Sequence, residues 1–196
     1  MKSAIVAKVG GSLFDLPDLR ERLLAWVKQQ RNCPILFVPG GGEAADVVRK
    51  LDNIHRLGEE KSHWLAIRMM SANAYFLATL LGVPTTASPH HWSQDAPSGA
   101  ILVPPTAILD TLRFCESDLL LEHSWQVSSD SIAARVAIAL QADLILLKSV
   151  DMPPGKSWRD TAEAGLLDHF FSTLVENSGL NVTWVNLRSF EATPRQ

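Results

Sequence analysis

The sequence predicts an α/β fold, a three-layer α/β/α sandwich with a mostly parallel central sheet. Short apolar runs alternate with longer stretches in which apolar side chains recur at helical spacing. This alternation is typical of a parallel sheet with helices on both faces. Two of the apolar runs end directly in glycine-rich loops. The chain has 196 residues and is 46% hydrophobic, which suits a single domain over residues 1–196 with a sizeable core.

The first half of the chain gives its predicted elements in a regular order. They are strands over residues 3–7 and 34–38, and helices over residues 16–30, 43–57 and 60–81. In the first helix Leu19, Leu23 and Val27 share one face, which indicates the side that packs on the sheet. Gly82 follows the last of these helices and is expected to end it.

The second half of the chain is less regular. Residues 88–98 are rich in Pro, His and Ser, as exposed loops are, and residues 100–103 predict a short strand. Pro104 and Pro105 predict the start of a short helix that runs to residue 112. The remaining predicted elements are a helix up to residue 140, a central strand over 142–147, a helix over 161–176, a strand over 181–186 and a frayed tail of ten residues.

The two glycine-rich loops are the first candidate site. Lys8, Gly10, Gly11 and Ser12 follow the first strand, and the run Gly40, Gly41 and Gly42 follows the second. Glycines allow a ligand to approach the backbone closely, and amide groups at a helix N-terminus bind phosphate oxygens. An ordinary turn would explain either loop alone. Two such loops at the carboxyl ends of parallel strands predict one crevice for a polyanion.

A third polar stretch opens the helix that precedes the central strand. Ser128, Ser129 and Asp130 come directly before an apolar helical stripe. One such residue is a common N-cap, and Asp130 could serve only as a cap. Three in series exceed what a cap requires, so we count all three as candidate site residues.

Four segments together resemble the amino acid kinase family, which includes aspartate, acetylglutamate and uridylate kinases. They are residues 8–13, 39–42, 127–134 and 142–151, and they occur in the order typical of that family. Residues 63–70 and the short chain are similar to one branch, the aminomethylfuran phosphate kinases of methanofuran biosynthesis. The resemblance covers most of the chain up to Asp151.

The resemblance implies ATP and Mg²⁺ as cofactors. It also implies which residues bind ATP, the phosphoryl donor. Lys8 would contact the transferring phosphoryl group, and Asp130 would orient Lys8 and help to place the metal-bound nucleotide. The nucleotide itself would bind to Gly10, Gly11, Ser12, Lys148, Ser149, Val150 and Asp151. Lys148 stands where the family commonly has a small polar residue, so it could supply a second phosphate-binding cation or be a solvated lysine.

The resemblance also implies an acceptor side, formed by Gly40, Gly41 and Gly42 with Ser128 and Ser129. Asp46 follows one turn into the next helix. It could pair with an ammonium group of the acceptor, or it could be an acid favoured by the helix dipole.

These roles imply phosphoryl transfer to a small acceptor. In the methanofuran branch the acceptor would be a phosphate monoester such as aminomethylfuran-methanol phosphate, and the product would be a diphosphate. Two alternatives stay open: a uridylate- or amino-acid-type kinase, and a non-catalytic nucleotide- or oxyanion-binding protein of the same fold. The resemblance also implies a homo-oligomer.

Composition excludes several other classes. The net charge of −3 and scattered basic residues give no surface for nucleic acid. No run of about 20 apolar residues predicts a membrane span, and no signal peptide is recognisable, so we expect a cytoplasmic protein. Cys33 and Cys115 lie far apart, and the adjacent His90 and His91 lack a partner at ligand spacing, so no protein metal site is predicted.

Overall fold

A six-stranded parallel sheet organises the molecule. The structure is a computed structural model that describes residues 4–30, 33–90, 92, 105–117 and 127–190. The strands are β1 (Ile5–Val9), β2 (Ile35–Pro39), β3 (Thr85–Thr86), β4 (Thr106–Leu109), β5 (Asp143–Lys148) and β6 (Val182–Asn186). Their spatial order is β3-β4-β2-β1-β5-β6, and every neighbouring pair is parallel. The carboxyl ends of β2, β1 and β5 therefore lie side by side.

Seven α-helices connect the strands within the described residues. They are α1 (Leu19–Gln29), α2 (Gly42–His55), α3 (Glu59–Leu81), α4 (Thr111–Ser117), α5 (Ser129–Leu140), α6 (Trp158–Glu163) and α7 (His169–Ser178). One 3₁₀ turn, Gly11–Leu13, follows β1. The predicted three-layer α/β/α fold is confirmed.

The alternation of side chains along β1 separates two apolar cores. Ile5, Ala7 and Val9 pack with α1 and the second half of α3. Val6 points to the opposite face, where α5 and α7 pack. Because successive side chains of a strand alternate in direction, Lys8 shares the face of Val6 and is directed towards α5.

The region around β4 corrects the sequence prediction. Residues 106–109 form a fully buried parallel strand beside β2, and the helix begins only at Thr111. Four residues after two prolines, of which three are apolar, have no periodicity that separates a strand from a helix. The predicted strand over 100–103 lies outside the described residues.

The predicted helix over 161–176 is also wrong in its extent. The chain forms α6 and α7 instead, with Gly165 at φ +73° between them. Ser157 and Asp160 form a reciprocal capping box that begins α6 at Trp158. Asp168 then begins α7 by accepting a hydrogen bond from the Phe171 amide.

One described helix, α3, is long and apolar enough to cross a membrane by length and composition alone. Many of its apolar residues pack in the core, whereas Leu65, Tyr75 and Phe76 are exposed. Ile67 and Met70 enter the core on the α5 side of the sheet, and Ala74, Leu77 and Leu81 enter the core on the α1 side.

Candidate active site

The two glycine loops touch each other at the carboxyl edge of the sheet. A Cβ built on Gly11 would lie 2.2 Å from the Gly42 nitrogen, and one built on Gly40 would lie 2.6 Å from the Gly11 nitrogen. Gly42 also has φ of +54°, a conformation that glycine adopts without strain. Any side chain at these positions would push the loops apart, so the sequence needs glycine here for close approach.

The amide groups of this crevice are available for a ligand. Within the described part of the chain, no acceptor pairs with the backbone N–H groups of Gly11, Ser12, Gly41 or Gly42. The second loop also opens α2, whose 14 residues add a favourable helix dipole. Unpaired amides from two loops at a helix N-terminus have the chemistry to bind phosphate oxygens.

Beside the loops, one buried carboxylate holds two lysines. The Lys8 Nζ lies 2.9 Å from Asp130 Oδ1. The Lys148 Nζ lies 3.0 Å from the same oxygen and donates a hydrogen bond of 3.0 Å to Asp130 Oδ2. All three residues are at most 8% exposed. The cluster carries a net charge of +1, since two ammonium groups face one carboxylate.

The environment of the cluster shifts two pKa values. Burial acts to raise the pKa of Asp130, but attraction by Lys8 and then Lys148 outweighs it and holds the pKa below its usual 3.8. Burial, followed by repulsion from Lys8, lowers the pKa of Lys148 from 10.5 to about 8, although Asp130 acts in the opposite direction. Asp130 therefore stays ionised at neutral pH, and Lys148 is the group in this cluster that titrates near it.

Two further contacts fix Lys148. Its ammonium donates to the Leu166 carbonyl at 2.8 Å and lies 5.3 Å from the centroid of the Trp184 ring, within cation–π range. The alternative of a solvated lysine is wrong. The side chain is buried and directed at Asp130.

The N-terminus of α5 is capped by Ser128 and not by Asp130. Ser128 Oγ accepts from the Asp130 amide, while its own hydroxyl donates to Asp168 Oδ2 at 2.6 Å. Asp168 also accepts from the amide and the hydroxyl of Ser131. This carboxylate holds the start of α5 and so fixes the position of Asp130. Sequence reasoning missed Asp168, which stands 38 positions after Asp130.

The loop after β5 lies against the first glycine loop and β6. Ser149 and Ser12 share a hydrogen bond of 2.8 Å between their hydroxyl groups. The Val150 carbonyl accepts from Trp184 Nε1 at 2.8 Å. The Asp151 carboxylate accepts from Asn186 Nδ2 at 3.1 Å. The predicted nucleotide segment is thus brought beside Gly11 and Ser12.

Two cavities share Gly41 as a common wall. A cleft of about 430 Å³ is lined by residues of both glycine loops together with Asp46, Asn73 and Arg188. A smaller cavity of about 140 Å³ is lined by Gly41, Ala45, Arg49, His63, Ala66, Ile67, Met70, Val127, Ser128 and Ser129. Asp46 forms an exposed ion pair of 2.6 Å with Arg49.

Two other polar side chains of this region gave no signal in the sequence. Asn73 on α3 donates to the Gly40 and Gly41 carbonyls at 2.8 and 2.9 Å. Arg188, which follows β6, donates to the Ser12 carbonyl at 2.8 Å and contacts Asp15 at 2.5 Å. Both reach the loops from distant parts of the chain.

The described residues contain no group of three or more His, Cys, Asp or Glu side chains placed to hold a metal ion. Asp130, the carboxylate at the centre of the site, has both oxygens in contact with lysine ammonium groups. Its donor set does not fit a resident cation.

Comparison with known proteins agrees with this geometry. The sequence model of the Amino acid kinase family matches residues 3–152. The chain belongs to the amino acid kinase family. The family resemblance predicted from the four motifs is confirmed, and so is the expectation of a kinase.

Individual members of the amino acid kinase family align over nearly the whole chain. The [5-(aminomethyl)furan-3-yl]methyl phosphate kinase of Methanocaldococcus jannaschii is 29% identical, over 93% of this chain and 88% of that protein. The uridylate kinase of Archaeoglobus fulgidus superposes with a TM-score of 0.62 at 17% identity, over 94% of this chain and 90% of that one. The aspartate kinase of Synechocystis superposes with a TM-score of 0.63 at 14% identity, over 97% of this chain and 39% of that one.

Proposed function

We propose that this kinase transfers the terminal phosphoryl group of ATP to a small phosphate monoester, giving a diphosphate and ADP. The observation that carries the proposal is the buried Lys8, Asp130 and Lys148 cluster beside two loops with unpaired amides. The Methanocaldococcus relative acts on [5-(aminomethyl)furan-3-yl]methyl phosphate. We propose this compound, of methanofuran biosynthesis, as the acceptor.

On the donor side we assign the nucleotide to Gly10, Gly11 and Ser12 and to residues 148–151. The hydrogen bond between Ser12 and Ser149 supports this assignment because it joins the two segments. Mg²⁺ supplies charge neutralisation when it arrives with the nucleotide, held by phosphates and water. The protein's own contribution is the two ammonium groups and the amides.

The charge distribution favours an acceptor that is already ionised. Phosphoryl transfer requires an attacking oxygen in line with the leaving oxygen and neutralisation of charge on the moving group. Asp130 is a poor general base because its pKa is lowered and both of its oxygens face ammonium groups. A phosphate monoester needs no base, since its oxygens are largely deprotonated at pH 7. One of them attacks the terminal phosphorus of ATP, and the bond from that phosphorus to the ADP oxygen breaks.

The smaller cavity suits the acceptor. Its walls are apolar at Ala66, Ile67 and Met70, with polar groups at Arg49 and His63. A volume of about 140 Å³ suits a small ring such as a substituted furan. Ser129, which precedes Asp130 in the chain, and Gly41 also line this cavity. Asp46 would contribute to acceptor binding through its ion pair with Arg49, which lines this cavity.

Turnover with a panel of acceptors tests the function. The purified chain is incubated with ATP, Mg²⁺ and one acceptor at a time: [5-(aminomethyl)furan-3-yl]methyl phosphate, uridine monophosphate or aspartate. We expect ADP release and a new diphosphate signal in the ³¹P spectrum only with the furan phosphate. Turnover of uridine monophosphate or aspartate alone would contradict the acceptor assignment. ATP binding without turnover of any acceptor would favour a binding protein.

The lowered pKa of Lys148 predicts an alkaline limit to activity. Lys148 is charged below its pKa of about 8, so we expect kcat/KM to fall as pH rises through about 8, because kcat/KM reports the free enzyme. Bound phosphates stabilise the ammonium form, so the corresponding fall in kcat should come at higher pH.

Profiles of kcat/KM against pH for the natural protein and Lys148→Arg check this limit. Arginine stays charged throughout the range, so the fall near pH 8 should disappear in the variant even if its maximum is lower. An unchanged alkaline limb in Lys148→Arg would assign the limit to another group.

We further place this kinase in the cytoplasm as a homo-oligomer. The family resemblance supports the homo-oligomer. In addition, α2 presents an apolar stripe to solvent at Val47, Leu51 and Ile54, which are 56%, 42% and 61% exposed.

A further inference from the structure

Asn73 donates two hydrogen bonds to the second glycine loop. Among the described residues, it is the only side chain that hydrogen-bonds to the backbone of this loop. Its side-chain nitrogen donates to the Gly40 carbonyl at 2.8 Å and to the Gly41 carbonyl at 2.9 Å. The residue is half-buried, in the middle of α3. It joins two segments that are more than 30 positions apart in the chain.

These two carbonyls determine the direction of two amides. A peptide unit is planar and trans, so its N–H points opposite to its C=O. The Gly40 carbonyl shares a peptide plane with the Gly41 amide, and the Gly41 carbonyl shares one with the Gly42 amide. Asn73 holds both carbonyls, and the Gly41 carbonyl also accepts from the Ala45 amide at 3.3 Å. Both N–H groups are thereby turned away from α3. The Gly42 nitrogen accordingly lies beside Gly11, in the crevice between the loops.

A glycine loop needs such a restraint more than other loops do. Glycine has the widest choice of backbone conformations, so three in succession lose much entropy on ordering. The helix α3 that carries Asn73 is itself fixed to the sheet, because Ser71 donates to the buried Asp110 at the end of β4. The position of Asn73 is therefore set by the sheet and transmitted to the loop.

We propose that Asn73 is a positioning residue for phosphate recognition, and that it orients the Gly41 and Gly42 amides towards the phosphate of the acceptor. This inference rests on the proposed function, which assigns that loop to the acceptor. Asn73 acts through the backbone carbonyls of the second glycine loop. Its effect should be confined to one loop, since Ser12 is held by Ser149 and Arg188 and the Gly11 carbonyl accepts from the Phe14 amide.

Titration with inorganic pyrophosphate, followed by ¹H–¹⁵N spectra and calorimetry, tests the proposal. In the natural protein we expect the amide resonances of Gly11, Ser12, Gly41 and Gly42 to move. In Asn73→Leu, which removes the donors at similar size, the Gly41 and Gly42 shifts should be lost, and affinity should fall about 10-fold. The Gly11 and Ser12 shifts should persist. Asn177→Leu is the matched control, because Asn177 donates to a helix carbonyl on the distant α7.

Several results would overturn the proposal. The first is that the Gly41 and Gly42 shifts are unchanged in Asn73→Leu. The second is an equal loss of amide shifts at both loops, which would indicate a general structural role. The third is failure of the natural protein to bind pyrophosphate. If Asn73→Leu does not fold, Asn73→Asp keeps the shape and replaces the donor by an acceptor, so the same loss at one loop is expected. Pyrophosphate binding does not require turnover. A wrong acceptor assignment would therefore appear only in the turnover panel.

Discussion

Replacing Lys8 with methionine should lower kcat by about 100-fold or more and leave the fold intact. Electrostatic stabilisation of the transferring group is usually the largest single term in such catalysis, and removing one donor costs about that factor. Stability should change little, because Asp130 keeps Lys148 as a partner at 3.0 Å and the methionine fills the space of the lysine stem. Steady-state turnover with thermal unfolding on the same preparation measures both effects.

The pH dependence of Lys8→Met distinguishes a loss of catalysis from a general loss of structure. Lys8 repels Lys148 and contributes to its lowered pKa. Without Lys8 that pKa should rise, so the alkaline fall of the residual activity should move above pH 8. Lys28→Met, an exposed lysine on α1, is the matched control and should match the natural protein in both respects. Near-normal kcat in Lys8→Met would remove Lys8 from the mechanism.

The sequence predicts the centre of the fold well because the relevant signals are local. The strands β1, β2 and β5 consist mainly of apolar residues, and two of them enter glycine loops directly. Parallel strands bring such loops to one edge whatever their separation in the chain. The crevice therefore follows from the pattern once the sheet is accepted as parallel.

The sequence fails where tertiary contacts decide the structure. β4 is a strand because it pairs with β2 on one side and β3 on the other, and its four residues are buried. No local signal in four residues can indicate such pairing. The division between α6 and α7 did have a local signal. Ser157 and Asp160 are spaced as a capping box, so a helix beginning at Trp158 could have been predicted.

The site residues also divide into those with a local sequence signal and those that depend on tertiary contacts. Lys8 and the glycines were predictable from motifs, but the role of Lys148 depends on the register of β5 beside β1, where Leu146 pairs with Lys8. Two residues further along β5, the Lys148 side chain emerges on the same face as Lys8. Asn73 and Asp168 act through backbone groups of other segments, and such contacts leave no pattern in a single sequence.

Replacing Asp130 with asparagine should abolish turnover and also destabilise the protein. If Asp130 were only a helix cap, asparagine would substitute well, but the cap is Ser128. The carboxylate instead balances two buried ammonium groups. Breaking a buried ion pair by removing one partner leaves uncompensated charge and costs about 3 to 5 kcal/mol. We therefore expect a large fall in the unfolding temperature together with at least a 100-fold loss of kcat.

The double variant Asp130→Asn with Lys148→Met distinguishes the two effects. Removing one ammonium group relieves the repulsion that Asp130 no longer balances, so the unfolding temperature should rise above that of Asp130→Asn alone. Activity should not return, because the second cation is absent and Lys8 has lost its anchor. Asp143→Asn, at the opposite end of the sheet where Asp143 accepts a hydrogen bond from Asn181 at 3.0 Å, controls for the substitution itself. Recovery of activity along with stability in the double variant would mean that the cluster serves folding only, and that phosphoryl transfer depends on other groups.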